Sequence, residues 1–368
     1  DNGGKKGRII RFRAPPPPLL TIPAFTKQNP LTVAGTTEAN SRIDAFLNDS
    51  ATPITISTND GSFSFALHLT PNAQNSLTIF TTAHNGQGLT SAPAGFTIIH
   101  DNIAPLIANL QPSHGSLLNN ARPQIRADFS DNLSGVDVGR IEILFDGFPI
   151  TSFTAAGFLF NPPLPLSEGR HTVLVTIADR AGNSASASST FTIDTIQPQI
   201  ANLSPAHGSV VTTARPLISA DFSDSNSGIN PESVRITLDG VDRTQQAAIT
   251  ASGFTLDPPD LLQGDHTLFV SVSDRAGNSA EAISTFTVSL GPQLGRIGNQ
   301  IVNLGETLTF TVSASSTSGT PTLFVSPLPL PNHATFNAST GLFTFTPDTT
   351  LLFATRIARM FAYGFLSV

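Results

Sequence analysis

Residues 122–136 read RPQIRADFSDNLSGV, and residues 215–229 read RPLISADFSDSNSGI, so one stretch of the chain recurs 93 positions later. The repetition extends outward to an aspartate at the start of each copy and to a closing DRAGN segment, where the offset has grown to 95. A drift of this size fits surface loops, which tolerate insertions. The period is that of a whole domain rather than a solenoid repeat, so the sequence predicts tandem domains.

Within each copy, apolar residues alternate with polar residues over short segments. This period of two buries one face of a strand and leaves the other in solvent, as in an antiparallel sandwich. No segment shows a sustained helical period, so we expect little helix. The apolar sets are Ile125/Ala127/Phe129, Ile141/Ile143/Phe145 and Val173/Val175/Ile177 in the first copy, and Ile218/Ala220/Phe222, Val234/Ile236/Leu238 and Leu268/Val270/Val272 in the second.

Composition narrows the class of protein. A length of 368 residues predicts three to four domains, each large enough for its own core. Cysteine is absent, so packing or metal must supply the stability that disulfides would give. Bacterial surface proteins are often cysteine-free, although a cytosolic location fits the composition equally. The net charge of −7, with every lysine before residue 28, argues against nucleic acid as a partner. No apolar run is long enough to span a membrane.

Several motifs recur in both copies: ADFSDxxSG, DG after a strand, GxHT and DRAGN. Together they resemble tandem bacterial Ig-like domains. The resemblance implies an all-β fold of tandem Ig-like antiparallel β-sandwiches arranged as an elongated array. The expected domains are a basic strand and proline-rich linker (1–18), a divergent Ig-like domain (19–100), Ig-like repeat 1 (101–193), Ig-like repeat 2 (194–289), a partial cadherin-like Ig domain (290–350) and an aberrant tail (351–368).

The two ends of the chain carry weaker resemblances. DNGGKKGRIIRF at the start is similar to the closing strand of an NHL-type β-propeller blade, with a plain basic extension as the alternative. TGLFTFTPD at 340–348 is similar to a cadherin-like Ig domain of bacterial surface proteins, and the residues after it depart from that pattern, which indicates truncation. The chain starts at Asp1 and its one methionine is Met360, so we expect a monomeric fragment of a larger protein.

Aspartates are the candidate ligands. In an Ig-type sandwich the start of the first strand and two of the loops lie at one end, here called the leading end because it faces the preceding domain. Hard carboxylate oxygens there suit Ca²⁺. The alternative is that these residues only form turns, which aspartate favours. The predicted ligands are Asp101, Asp128, Asp131 and Asp179 in repeat 1, and Asp194, Asp221, Asp224 and Asp274 in repeat 2.

Other polar residues give no comparable signal. His171 and His266 lack a second His or Cys at metal spacing, so we expect each to bond a loop at the start of a strand. Arg180 and Arg275 are expected to be surface charges or to brace the DRAGN hairpin. No motif of a hydrolase, metalloprotease or nucleotide-binding enzyme is present, so we predict a protein that is not an enzyme.

The resemblance and the absence of catalytic motifs predict a non-catalytic structural or adhesive stalk of a bacterial cell-surface or secreted protein, stiffened by Ca²⁺ at domain junctions. The alternative is an accessory spacer, or a carbohydrate- or protein-binding region, attached to an extracellular enzyme or β-propeller. Either function places the chain outside the cell or on its surface, with a protein or glycan as its ligand. The lack of tryptophan counts against the glycan, since sugars commonly stack on exposed aromatic rings.

Overall fold

The computed structural model describes residues 13–83, 88–316, 321–325, 330 and 332–348. The chain divides into two compact units, Asp1–Asp194 and Thr195–Val368. The predicted propeller remnant at 1–12 and the predicted aberrant tail at 351–368 lie outside the described residues.

The first domain of unit 1 is a sandwich of a three-stranded and a five-stranded sheet, ordered β1-β3-β6 and β2-β8-β7-β4-β5. Its core contains the buried Leu31, Ile43, Leu67, Leu77 and Ile98. The strands are β1 (Leu19–Leu20), β2 (Phe25–Thr26), β3 (Leu31–Thr36), β4 (Ser41–Leu47), β5 (Ile54–Thr58), β6 (Ser62–Leu67), β7 (Ala73–Ala83) and β8 (Ala94–His100).

Repeat 1, also in unit 1, has sheets ordered β10-β16-β15-β12-β13 and β14-β11-β9. Neighbouring strands pair antiparallel except β10 and β16, which are parallel. The elements are β9 (Leu106–Gln111), β10 (Leu117–Leu118), β11 (Ile125–Ser130), the 3₁₀ helix η1 (Val138–Arg140), β12 (Glu142–Phe145), β13 (Phe148–Pro149), β14 (Gly157–Phe160), β15 (Gly169–Ala178) and β16 (Ser184–Ile193).

Repeat 2, in unit 2, has the same arrangement with one strand more: its sheets are β18-β25-β24-β20-β21 and β17-β19-β23-β22. The additional strand, β22, pairs antiparallel with β23. The elements are β17 (Gln199–Ser204), β18 (Val210–Val211), β19 (Ile218–Ser223), β20 (Ile229–Leu238), β21 (Val241–Asp242), the 3₁₀ helix η2 (Thr244–Gln246), β22 (Ala248–Thr250), β23 (Gly253–Leu256), β24 (Gly264–Asp274) and β25 (Ser279–Val288).

The remainder of unit 2 forms two small sheets, β26-β28 and β27-β30-β29. Within this region the buried apolar side chains are Val312, Leu323 and Phe343. The strands are β26 (Gln293–Leu294), β27 (Leu308–Thr311), β28 (Ala314–Ser315), β29 (Ala334–Asn337) and β30 (Leu342–Phe345).

The alternation seen in the sequence is confirmed by burial in both repeats. Every residue of the six predicted apolar sets is buried except Phe145, which is half-buried, whereas its counterpart Leu238 is only 2% exposed. The scarcity of helix is confirmed as well, since η1 and η2 are the helical elements among the described residues. The fold is therefore all-β, with one apolar core for each sandwich.

Candidate metal site at the leading end of repeat 1

Asp131 opens the loop that follows β11. Its Oδ1 accepts hydrogen bonds from the N–H groups of Leu133 (3.2 Å) and Gly135 (2.6 Å). An aspartate that bonds the backbone two residues ahead stabilises a tight turn, and Gly135 supplies a positive φ of 78°. The loop geometry thus uses one oxygen of Asp131, and the other oxygen is not needed for the turn.

Asp179 directly follows β15 and begins the DRAGN hairpin, and it is fully buried. Its Oδ1 accepts from the N–H of Asn183 (2.8 Å), and its Oδ2 accepts from the Nδ2 of the same residue (2.7 Å). The Nδ2 group of Asn183 also donates to the carbonyl oxygen of Asp101 (2.9 Å). The hairpin therefore fixes Asp179 and ties it to the segment that enters the domain.

Asp101 lies between the first domain and repeat 1, and its side chain is fully buried. Its N–H donates to the carbonyl of Thr26 in the first domain (2.9 Å), and its carboxylate accepts from the N–H groups of Ile103 and Ser134, each at 3.0 Å. Burial raises the pKa of Asp101, but the Ser134 hydroxyl and these N–H groups together hold it below its ordinary value. The carboxylate is thus ionised at neutral pH.

The three aspartates converge. One carboxylate oxygen from each of Asp101, Asp131 and Asp179 can be chosen so that all three lie within 4.8 Å of one another. Ca²⁺ takes oxygen ligands at about 2.3–2.6 Å, so two ligands on opposite sides of one ion are about 5 Å apart. The spacing therefore matches a shared cation, which would also offset the repulsion among the carboxylates.

Ser134 adds a second feature. It is 2% exposed, its N–H donates to Asp101, and its hydroxyl lies near enough to the same carboxylate to lower the pKa of Asp101, although this contact lacks the geometry of a full hydrogen bond. A buried polar atom without a partner costs free energy, and each such atom calls for an explanation such as an ion or a water. An oxygen of this kind next to the Asp101 carboxylate fits a hard cation, so it adds to a donor set that suits Ca²⁺.

Repeat 2 reproduces the local geometry of two of these aspartates. Asp224 accepts from the N–H groups of Asn226 (3.2 Å) and Gly228 (2.6 Å), and its Oδ2 is buried without a hydrogen-bond partner. Asp274 accepts from Asn278 through both oxygens, at 2.9 and 2.7 Å. Asp194, the counterpart of Asp101, is the last residue of unit 1, where its N–H donates to Leu118 (2.9 Å).

Two predicted ligands do not join these groups. Asp128 and Asp221 lie on the outer faces of β11 and β19, because they alternate with the buried residues of those strands. The Oδ2 of each accepts from the side chain of an asparagine on the neighbouring strand, Asn109 or Asn202, at 2.7 Å. The prediction that Asp128 and Asp221 join the other aspartates as ligands is therefore corrected, because each bonds an asparagine of the neighbouring edge strand instead. The alternation of buried and exposed residues along each strand distinguishes them from the other aspartates.

The leading end of repeat 1 also contacts the first domain directly. Lys27 donates from Nζ to the carbonyl of Gly182 in the DRAGN hairpin (2.7 Å), and the Arg180 guanidinium lies 5.6 Å from the ring centroid of Phe25. Cation–π and charge-assisted contacts of this type each contribute modestly. Arg180 thus contacts the first domain, and Lys27 could not be recognised from the sequence because it lies outside the repeats.

The two histidines occupy matching positions away from this site. His171 directs Nδ1 at Asp146 (2.6 Å) and Nε2 at the Ser167 carbonyl (2.9 Å). His266 does the same with Asp239 and Leu262, both at 2.7 Å. These contacts agree with the expectation that each histidine bonds a loop. In each histidine both ring nitrogens face oxygen acceptors, so both nitrogens hold the ring in place.

Comparisons with known proteins agree with this topology. Residues 116–195 match the family of bacterial Ig-like domains (Big_13), and residues 198–270 match a second family of bacterial Ig domains (Big_7). No curated protein matches the sequence. Repeats 1 and 2 are tandem Ig-like domains, a class that is generally non-catalytic and typically extracellular.

Several solved structures are similar to the chain at low sequence identity. They include the fibronectin(III)-like modules of Clostridium thermocellum CbhA (15% identity, covering 50% of this chain and 94% of that one, TM-score 0.30). The insect immune protein hemolin (13%, 89% and 92%, TM-score 0.29) and the extracellular domain of protocadherin GammaB4 (16%, 90% and 62%, TM-score 0.31) are also similar. Among the described residues no helix is long and apolar enough to cross a membrane.

Proposed function

We propose that this run of tandem bacterial Ig-like domains is a non-catalytic stalk of a bacterial surface or secreted protein, and that Ca²⁺ stiffens its domain junctions. The observation that carries the proposal is the group of Asp101, Asp131 and Asp179 at the leading end of repeat 1. The sequence repeat extends the same prediction to Asp194, Asp224 and Asp274.

The position of Asp101 explains how an ion would act on the junction. This residue belongs to the connecting segment, and its backbone is bonded to Thr26 of the first domain on one side and to Asn183 of repeat 1 on the other. Asp131 and Asp179 come from two different loops of repeat 1. One cation would therefore join the connection to both loops, and bending there would require a ligand to be lost. The bound ion would supply only charge and coordination.

Calorimetric titration of the full chain with Ca²⁺ tests the metal part of the proposal. We expect saturable binding at two sites and a rise in melting temperature that a chelator reverses, because an ion that binds only the folded state stabilises it. Asp131→Asn should remove one site, since the amide keeps the shape and the turn acceptor but loses the charge. Asp128→Asn is the matched control and should bind as the unaltered chain does.

Small-angle X-ray scattering of the full chain tests the stalk part separately. A spacer predicts an extended particle whose maximum dimension increases or whose flexibility decreases when Ca²⁺ is added. A compact particle with and without Ca²⁺ would contradict the stalk even if metal binds. Binding of Ca²⁺ without any change in scattering would support a local structural ion but contradict its role in stiffening.

A further inference from the structure

His266 fastens a loop at the end of repeat 2 that lies opposite the leading end. This trailing end contains the start of β24, the end of β25 and the loop 257–263 between β23 and β24. The imidazole is 8% exposed and stacks on Phe286, with ring centroids 5.6 Å apart. Its Nδ1 lies 2.7 Å from Oδ2 of Asp239, and its Nε2 lies 2.7 Å from the carbonyl oxygen of Leu262. The ring therefore joins the loop to the turn between β20 and β21.

The two contacts together need a proton on each ring nitrogen of His266. A neutral imidazole has one N–H and one acceptor nitrogen, whereas a protonated imidazole has two N–H groups. Asp239 forms the stronger bond because it is charged, so it keeps the one proton of the neutral ring on Nδ1. Nε2 then directs a lone pair at the carbonyl of Leu262, which is an acceptor as well. Loss of one proton thus breaks the contact with the loop and leaves the contact with Asp239.

The charges around His266 favour the protonated ring. Burial lowers its pKa, but the hydrogen bonds to Asp239 and Leu262 and the negative charges of Asp239 and Asp265 raise it above its ordinary value overall. The other charged side chains at the loop pair with one another at the surface: Asp257, Asp260 and Arg215. The contact with the loop is therefore complete below the ordinary histidine pKa of about 6.5, and it is lost as pH rises through the raised value.

The first domain has a similar arrangement without a titratable group. Asn48 exchanges two hydrogen bonds with the backbone of Ser76, as Asp239 does with the matching residue of repeat 2. Asn75 takes the place of the histidine, and it holds Thr70 in the loop before β7 by accepting from its N–H (2.8 Å) and donating to its carbonyl (3.1 Å). An amide keeps both bonds at acidic and neutral pH, so the first domain is an internal reference.

The loop of repeat 2 also contacts the segment that leaves this domain. Gln263, the neighbour of Leu262, donates from Nε2 to the carbonyl oxygen of Leu290 (3.3 Å). Leu290 lies two residues beyond β25 and packs against the core of repeat 2. Release of Leu262 by the histidine therefore also weakens the restraint that Gln263 places on the exiting segment.

We propose that His266 is a pH-operated clamp at the trailing end of repeat 2. The protonated ring holds the loop 257–263 and, through Gln263, the segment that leaves the domain; the neutral ring releases both. The trailing end of repeat 2 is thus ordered in acid and loosens as pH rises, whereas the first domain does not respond. Since the clamp lies at the opposite end from the aspartates of the leading end, it does not depend on Ca²⁺.

Hydrogen exchange of the full chain between about pH 5 and pH 8 tests this proposal, with each rate corrected for the intrinsic effect of pH on exchange. The reporter in repeat 2 is the N–H of Leu261, which donates to the carbonyl of Ala214 (2.8 Å). Its protection should fall by about fivefold or more as pH rises, because the loop loses one hydrogen bond. The N–H of Thr70 is the reporter in the first domain and should keep its protection.

Three variants assign the effect to the histidine. His266→Asn gives repeat 2 the side chain of the first domain, so the protection of Leu261 should no longer depend on pH. His171→Asn is the matched control in repeat 1 and should leave the profile of Leu261 unchanged. Asp239→Asn keeps the ring and removes a negative charge, so it should move the fall in protection to lower pH even if His266→Asn does not fold.

Constant protection of Leu261 from about pH 5 to pH 8 would overturn the proposal, and so would an equal fall at Thr70. A fall that is unchanged in both Asp239→Asn and His266→Asn would overturn it as well, because another group would then control the loop.

Discussion

Repeats 1 and 2 are alike at the leading end and unlike at the side. Asp131 and Asp224 form the same loop, and Asp179 and Asp274 form the same hairpin, with hydrogen bonds that match to within 0.1 Å for each aspartate pair's shared contacts. On the side between the β12–β13 hairpin and β14, repeat 1 has a groove lined by Phe145, Phe148, Ile150 and Phe160, and a single bridge between Thr154 and Gly157, where repeat 2 has η2 and β22. The two domains therefore share the geometry of the loops at the leading end, and they differ in the segment between the β12–β13 hairpin and β14 of repeat 1 and its counterpart in repeat 2.

The largest loss of stability is expected at a glycine whose backbone conformation is the same in both repeats. Gly157 and Gly253 have φ values of +139° and +151°, and a Cβ at either would overlap a carbonyl oxygen of the neighbouring strand. Gly157→Ala and Gly253→Ala should each lower the free energy of unfolding of that repeat by about 3 kcal/mol.

Hydrogen exchange of the amides in the altered repeat measures this loss. Gly95→Ala is the control, because a Cβ there meets no atom within 4 Å, and it should change stability by less than about 0.5 kcal/mol. A loss below about 1 kcal/mol in either repeat would show that the strands can separate to admit the methyl group.

Exchanging Leu238 of repeat 2 and its counterpart Phe145 of repeat 1 tests whether the two cores are packed differently next to the groove. Leu238 is buried in a closed core, whereas its counterpart Phe145 borders the groove. Leu238→Phe should destabilise repeat 2 by about 2 kcal/mol, because overpacking strains a full core. Phe145→Leu should cost repeat 1 less than about 1.5 kcal/mol. Chemical denaturation of both variants checks the asymmetry, and equal losses would mean that the groove gives Phe145 no freedom.

The histidine of repeat 2 predicts a dependence of stability on pH. Burial lowers the pKa of His266, but the hydrogen bonds to Asp239 and to the Leu262 carbonyl raise it above its ordinary value overall. A raised pKa in the folded state stabilises the fold fully below the pKa of an unfolded histidine, about 6.5, and this contribution is lost as pH rises through the folded pKa.

Thermal melts between about pH 5 and pH 8 should therefore show repeat 2 losing stability as pH rises through this range. Asp239→Asn keeps the acceptor for the Thr267 N–H and removes the charge, so it should flatten the profile. A profile that is unchanged in this variant would mean that Asp239 does not control the titration.

The smallest effect is expected at the contact of repeat 1 with the first domain. Lys27 is exposed where it donates to Gly182, and exposed charged contacts contribute less than about 1 kcal/mol. Lys27→Ala should therefore lower the melting temperature of unit 1 only slightly, and added salt should reduce even that difference. A loss as large as that of a core substitution would show that this contact, rather than an ion, holds the junction.

Much of the fold could be predicted because it follows from the period of two. Ile143 and Ile236 were recognisable as core residues from their neighbours alone. The same period indicates that Asp128 faces solvent, whereas its place near the end of β11, where the strand runs into its loop, favoured a ligand. Ser134 could have been found, since a serine recurs at the same place in both copies. The groove of repeat 1 could not be predicted, because the sequence does not show that the three additional residues of repeat 2 allow η2 and β22 to form there.

The measurement that tests the central claim most directly is Ca²⁺ titration by calorimetry of the full chain beside Asp131→Asn, Asp224→Asn and the double variant, with melts in the presence and absence of chelator. The account predicts two sites in the unaltered chain, one in each single variant and none in the double variant, with melting temperature falling in the same order. A flat titration and identical melts for all four proteins would contradict it and leave these aspartates as turn-forming residues.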